Sequence, residues 1–134
     1  MKRYISMLLV TLLTLAILSS AASAASFSVP TCNKGDGAVL SGVVTKTTAI
    51  GSAATGSVSA ITSGAKFILR VRKSSGYKAS NTATVSSTSS FSMSSLKDGN
   101  GQWLLRKGYD YKLAYTHSTA SGVDSGSCSG TWKP

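Results

Sequence analysis

The sequence predicts an all-β protein: a small antiparallel β-sandwich of about seven strands, with a small β-barrel as the alternative closure of the same set. Three observations carry this expectation. After residue 26 no segment holds apolar residues at helical spacing for three turns. Alternation of period two recurs instead, as in Phe67, Leu69 and Val71 or in Tyr109, Tyr111, Leu113 and Tyr115. Between the alternating runs stand Gly, Ser, Asn and Asp, which suit tight turns.

In chain order, the first element lies outside that fold. Met1, Lys2 and Arg3 make a short cationic start, residues 8–18 are an apolar run, and small residues follow with Ala22-x-Ala24 fitting a cleavage site. The run is well short of the roughly 20 apolar residues a membrane-crossing helix needs, and no second apolar span follows it. Residues 1–25 are therefore expected to be a secretory leader and residues 26–134 a single β-sandwich domain, secreted to the extracellular space or held at the cell envelope, with no transmembrane segment in the mature chain. Cys32 and Cys128, an even pair in an exported chain, are expected to form a disulfide. Closing so long a loop would contribute roughly 4–5 kcal/mol in the chain-entropy picture. Two cysteines and one histidine do not supply the four ligands of a closed zinc site, so no metal or other cofactor is expected.

The strands follow. Residues 38–47, AVLSGVVTKT, predict a long strand bulged at Gly42. Residues 52–61 are weakly patterned, a poor strand or a loop, and 49–63 is the stretch expected to be most mobile. Residues 65–73 form a strong strand, 82–86 a short edge strand, and 91–93 a strand with Phe91 and Met93 on one side. The Asp-Gly and Asn-Gly pairs within 97–101 predict a turn, because both tolerate positive φ. Further strands are expected at 102–106, 109–116 and 126–132.

The stretch LKDGNGQWLLRKGYDYKLAYT, residues 96–116, resembles the part of immunoglobulin-like and fibronectin type III-like domains where a leucine precedes a turn and a tyrosine strand follows. The resemblance covers about a fifth of the mature chain. It implies a sandwich, with Tyr109 or Tyr111 as a tyrosine-corner residue whose hydroxyl bonds nearby backbone. It implies no activity.

Charge is the most distinctive feature of the composition. The chain carries 14 Lys and Arg against four Asp and no Glu, a net charge of +10. Loss of Lys2 and Arg3 with the leader would leave 12 against four, a net +8. In residues 66–78, KFILRVRKSSGYK, burial of Phe67, Leu69 and Val71 would turn Lys66, Arg70 and Arg72 outward together. Alternate residues lie roughly 7 Å apart, inside the Debye length of about 8 Å at physiological salt, so these charges repel and their fields add. Lys73 and Lys78 extend the patch, and Arg106, Lys107 and Lys112 join it or form a second one. The partner this implies is an anionic extracellular polymer or an anionic cell-surface component, bound more weakly as salt rises. Such charge also serves solubility and blunts sheet edges.

Aromatic contacts to a ligand are expected from Tyr77 and Trp132, Trp132 being the more exposed of the two tryptophans because it lies near the carboxyl terminus. His117, the one histidine, can be drawn into a triad with Asp110 or Asp124 and a serine, but no strand-to-helix nucleophile elbow accompanies it. The DGNGQ run at 98–102 starts like a calcium loop and breaks at Gln102. The expected function is therefore that of a non-catalytic binding or structural module. A secreted antibacterial or toxin-like protein, or a protein-binding inhibitor or adhesive module, is the alternative.

Overall fold

The computed structural model describes residues 24–134. The leader expected at 1–25 lies, but for its last two residues, outside the described residues. Nine strands follow in order: β1 (Ala25–Asn33), β2 (Gly37–Val39), β3 (Val44–Thr45), β4 (Ala54–Ile61), β5 (Phe67–Lys73), β6 (Lys78–Val85), β7 (Ser90–Met93), β8 (Asp110–His117) and β9 (Ser125–Lys133). They make two antiparallel sheets, one ordered β1-β9-β4-β7, the other β2-β8-β5-β6 with β3 also on β8. No helix occurs among the described residues, and the sheets do not close into a barrel.

The core follows from alternation. Phe67, Leu69 and Val71 of β5 and Tyr111, Leu113 and Tyr115 of β8 are buried between the sheets. Facing them, Phe27, Val29, Val58, Phe91, Met93 and Trp132 come from the other sheet. Edge-to-face ring pairs, Phe27–Phe91 at 6.2 Å and Phe67–Tyr115 at 6.4 Å, add about 0.5–1.5 kcal/mol each beyond area burial. Of the two tyrosines considered for the corner, Tyr111 holds the position. Its hydroxyl donates to Leu104 O and accepts from Arg106 N, both at 2.7 Å.

Several expectations are corrected. The 38–47 strand is split into β2 and β3, which pair with β8 in registers two residues apart across residues 40–43. Of the two readings of residues 52–61 the strand holds, since Ala54–Ile61 is β4, an interior strand paired on both sides. Residues 102–106 form no strand beyond an isolated bridge from Lys97 to Trp103, because Leu105 turns into the core to fill the sandwich end. β1 is an additional strand.

The expected disulfide is absent, and Cys32 and Cys128 are both free. Cys128 stands opposite Val29 and Cys32 opposite Gly126, with a register shift between Val29 and Cys32. Such diagonal neighbours are about 7–8 Å apart, beyond the roughly 4.4–6.8 Å that a disulfide spans. Burial raises the Cys128 thiol to about 11, so it remains protonated and inert as a core side chain.

Lys46 is fully buried beside the end of β3. Its ammonium donates to Thr48 Oγ1 at 2.6 Å, Ser52 Oγ at 2.8 Å and Ser52 O at 3.2 Å, and no carboxylate reaches it among the described residues. Desolvation lowers its pKa from the ordinary lysine value. The folded state therefore disfavours the proton more than the unfolded state does. Stability gained from this group rises with pH, from the lowered folded pKa up to the ordinary value near 10.4. Urea midpoints at pH 7 and pH 10.5 are expected to show a more positive change for the wild type than for Lys46→Met. Equal changes in the two proteins would contradict this.

Candidate functional site

Strand β5 is the inner strand around which the site is built. With Phe67, Leu69 and Val71 committed to the core, Ile68, Arg70 and Arg72 occupy the opposite face of the sheet, each half-buried by its neighbours. Register then decides what stands beside them. Arg72 pairs with Lys112 of β8 on one side and with Lys78 of β6 on the other. Three cations from three adjacent strands thus share one row, with strands about 4.8 Å apart. One row along, Arg70 lies between Ala114 and Thr82, and beyond it Ile68 lies between Thr116 and Thr84.

Ile68, Arg70 and Arg72 with Ala114 and Thr116 border a shallow open groove of about 600 Å³ running along β5 and β8, with Gly37, Ala38 and Val39 of β2 on one flank and Thr82 of β6 on the other. One end is cationic. The other is lined by Ile68, Ala114, Thr116, Gly35 and the strand from Gly37 to Val39. Arg72 reaches over the β5–β6 turn and donates from Nη1 to Gly76 O at 2.8 Å. The Nε atoms of Arg70 and Arg72 are covered and have no hydrogen-bond partner. Neither guanidinium is ion-paired among the described residues. Asp110, on the same face of β8 beyond Lys112, accepts instead from Thr45 Oγ1 at 2.6 Å. Like charges in adjacent strand positions are destabilising, by a few tenths to about 1 kcal/mol per pair in high dielectric.

Not every expected cation joins this face. Lys66 shares the parity of Arg70 but precedes the strand, where its backbone is tied to Ser118 and Ser121. Lys73 stands opposite Tyr111, on the parity of the core positions, at the strand end near Asp98. Arg106 lies in the β7–β8 loop, donating to Trp103 O at 2.8 Å and pairing with Asp98 at 3.6 Å. Lys107 is exposed in that loop. The loop is shaped by Asp98, whose carboxylate accepts from the backbone N–H of Asn100 and Gln102 at 2.9 Å. Those bonds, the Gln102 one foremost, hold its pKa below the ordinary value. The DGNGQ run is accordingly a capped turn.

The tryptophans are reversed relative to expectation. Trp132 is 2% exposed, since β9 lies between β1 and β4 and carries that side chain into the core. Trp103 is 39% exposed, resting on Gly51, where any Cβ would meet the indole, with Lys97 Nζ 4.4 Å from its ring centre. Tyr77, at 75% exposed, is accessible as expected, and Tyr109 is 58% exposed. His117 is fully buried, stacked on Phe67 at 4.8 Å, with Nδ1 3.0 Å from Cys32 O and Nε2 2.9 Å from Ser121 Oγ. Neither Asp110 nor Asp124 touches it, so the drawn triad is not assembled. No group of three or more metal-binding side chains occurs among the described residues.

The lining from β2, together with Thr82, Ala114 and Thr116, was not anticipated. Small apolar and hydroxyl residues carry no chemical signature, and only strand pairing gathers them. No protein-family model matches the chain, and no curated protein or solved structure is significantly similar to it.

Proposed function

We propose that the protein is a secreted, non-catalytic binding module that attaches to anionic polymers outside the cell or in its envelope. The observation that carries this reading is the Lys112–Arg72–Lys78 row with Arg70 beside it, four cations on one sheet face without an ion pair among the described residues. Their mutual repulsion is relieved by an anionic partner, and the guanidinium groups of Arg70 and Arg72 suit carboxylate or phosphate oxygens. The reading takes no help from His117, which is enclosed.

The test is equilibrium binding of the purified protein to polyuronate, polyphosphate, an oligonucleotide and neutral dextran in low-salt buffer. Binding to the charged polymers and not to dextran is expected. Equal binding to dextran, or none to any polymer, would overturn the proposal.

A further inference from the structure

We infer that one end of the sandwich, a surface separate from the groove, docks on an anionic lipid bilayer, with Ile50, Tyr77, Trp103 and Tyr109 entering the headgroup layer. Three observations lead there. First, exposed apolar bulk is gathered at that end. The large hydrophobic side chains exposed among the described residues are Val39, Val43, Ile50, Tyr77, Trp103 and Tyr109. The two valines belong to the β2–β3 segment at a sheet edge, and the other four to the β3–β4 loop, the β5–β6 turn and the β7–β8 loop. Register brings these three connections to one end, since Thr45 stands opposite Asp110, Ala54 opposite Met93, Arg72 opposite Lys78 and Lys73 opposite Tyr111. The other end, residues 34–36, 62–66, 86–89 and 118–124, presents none of these side chains and holds Asp36 and Asp124. Scattered singly, exposed apolar residues are ordinary, but gathered they mark a contact surface.

Second, the three connections are laced together by backbone bonds. Gly51 N donates to Leu105 O at 2.9 Å, Lys46 N to Tyr109 O at 2.9 Å, Gly108 N to Lys46 O at 2.8 Å and Ser74 N to Asp110 O at 3.4 Å. A backbone fixed in advance loses less freedom on docking. Third, cations stand among the apolar tips. Lys97 Nζ lies 4.4 Å from the Trp103 ring centre, Lys107 is exposed close before Tyr109, and Lys73 N donates to Tyr77 O at 2.8 Å. The acids at this end are Asp98, paired with Arg106, and Asp110, bonded by Thr45. Aromatic rings beside lysines match the headgroup layer, where ring bodies meet acyl chains and ammonium groups meet phosphate. A soluble polyanion offers Ile50 no apolar surroundings, and the cores of protein interfaces are poor in lysine. The contact is interfacial, since no helix among the described residues is long and apolar enough to cross a membrane.

The experiment uses vesicles of phosphatidylcholine alone and of a phosphatidylcholine–phosphatidylglycerol mixture, each with and without brominated acyl chains. Sedimentation measures binding, and bromine quenching of tryptophan emission measures insertion. Trp103 supplies that signal, because Trp132 is enclosed in the core. Binding to the mixed vesicles with quenching is expected, and much weaker binding to phosphatidylcholine alone. Ile50→Ser/Tyr109→Ser should weaken binding about tenfold or more, the scale of withdrawing one large apolar side chain, whereas Ile50→Leu/Tyr109→Phe stays within about threefold of wild type. Thermal unfolding checks that these exposed changes leave the fold intact. Arg70→Gln/Arg72→Gln should leave quenching at saturating lipid unchanged. Binding without quenching, equal binding to phosphatidylcholine alone, or a serine pair without effect would overturn this inference while leaving polyanion binding in place. Failure to bind any vesicle would also overturn it and assign this end to a protein partner. Quenching by the mixed vesicles in a protein that binds no soluble polyanion would overturn the groove's proposed role alone.

Discussion

Reversing charge at Arg70 and Arg72 together is expected to weaken polyanion binding by a hundredfold or more at low salt, while the protein stays folded. Each Arg→Glu change removes a fork of donors and replaces attraction by repulsion at the same place. The two changes turn a face of four cations into one of two cations and two anions. Stability should change little, since these side chains point away from the core. Arg72→Glu loses one exposed bond to Gly76 O, worth about 1 kcal/mol, and relieves the repulsion from Lys112 and Lys78. A matched control is available in Lys133, exposed at the end of β9 in the other sheet. Lys133→Glu alters net charge as much as Arg70→Glu does. It is expected to cost less than threefold in affinity, whereas Arg70→Glu costs about tenfold. Titration of a labelled polyanion against each variant, with urea unfolding as a check, measures both effects. Equal losses for Lys133→Glu and Arg70→Glu would show that net charge alone governs binding.

The largest expected stability effect lies at a glycine. Gly130 of β9 stands between Phe27 of β1 and Val58 of β4 in the sheet register. A Cβ there would overlap the Ser57 carbonyl oxygen and come within 2.9 Å of the Phe27 ring. The first obstacle is backbone and cannot rotate away. The strands must separate, or the ladder bonds beside Gly130 must weaken. Overpacking of this kind costs about 3 kcal/mol, a large share of the roughly 5–15 kcal/mol stability usual for a small domain. Gly99 provides the comparison, because a Cβ there meets nothing within 4 Å and its φ is not positive. Gly99→Ala is expected to stay within about 0.5 kcal/mol of wild type. Urea unfolding at constant pH distinguishes the two, and a Gly130→Ala protein as stable as Gly99→Ala would contradict the packing described.

Why some elements were legible and others not follows from where the large side chains sit. In β5 and β8 each strand carries its own core residues, Phe67, Leu69 and Val71 or Tyr111, Leu113 and Tyr115, so alternation is visible within the strand. In β4 the positions turned inward are Ala54, Gly56 and Val58, and the bulk above Gly56 comes from Phe91 of the neighbouring strand. Its hydrophobic signal is held by its partners, and the irregularity between Val58 and Ala60 breaks the period. In β1 the Phe27 and Val29 alternation ends at Pro30, next to the expected cleavage site.

The site divides in the same way. That Arg70 and Arg72 share a face is a property of one strand and could be read directly. That Lys112 and Lys78 flank Arg72, while Arg106 turns away to Asp98, depends on register and loop path. The cysteines are the same lesson, since an even count and an export signal suggest a pair but ladder register keeps them apart. Trp132 was misjudged because nearness to the terminus says less than the strand on either side of it.

The salt dependence of oligo-dT affinity, followed from 50 to 300 mM, tests the proposed role of the basic face most directly. If Arg70, Arg72, Lys78 and Lys112 each neutralise a phosphate, log K falls against log salt with a slope of about −3, from roughly −0.7 per contact for single strands. A slope near zero, or one that Arg70→Gln/Arg72→Gln leaves unaltered, would contradict it.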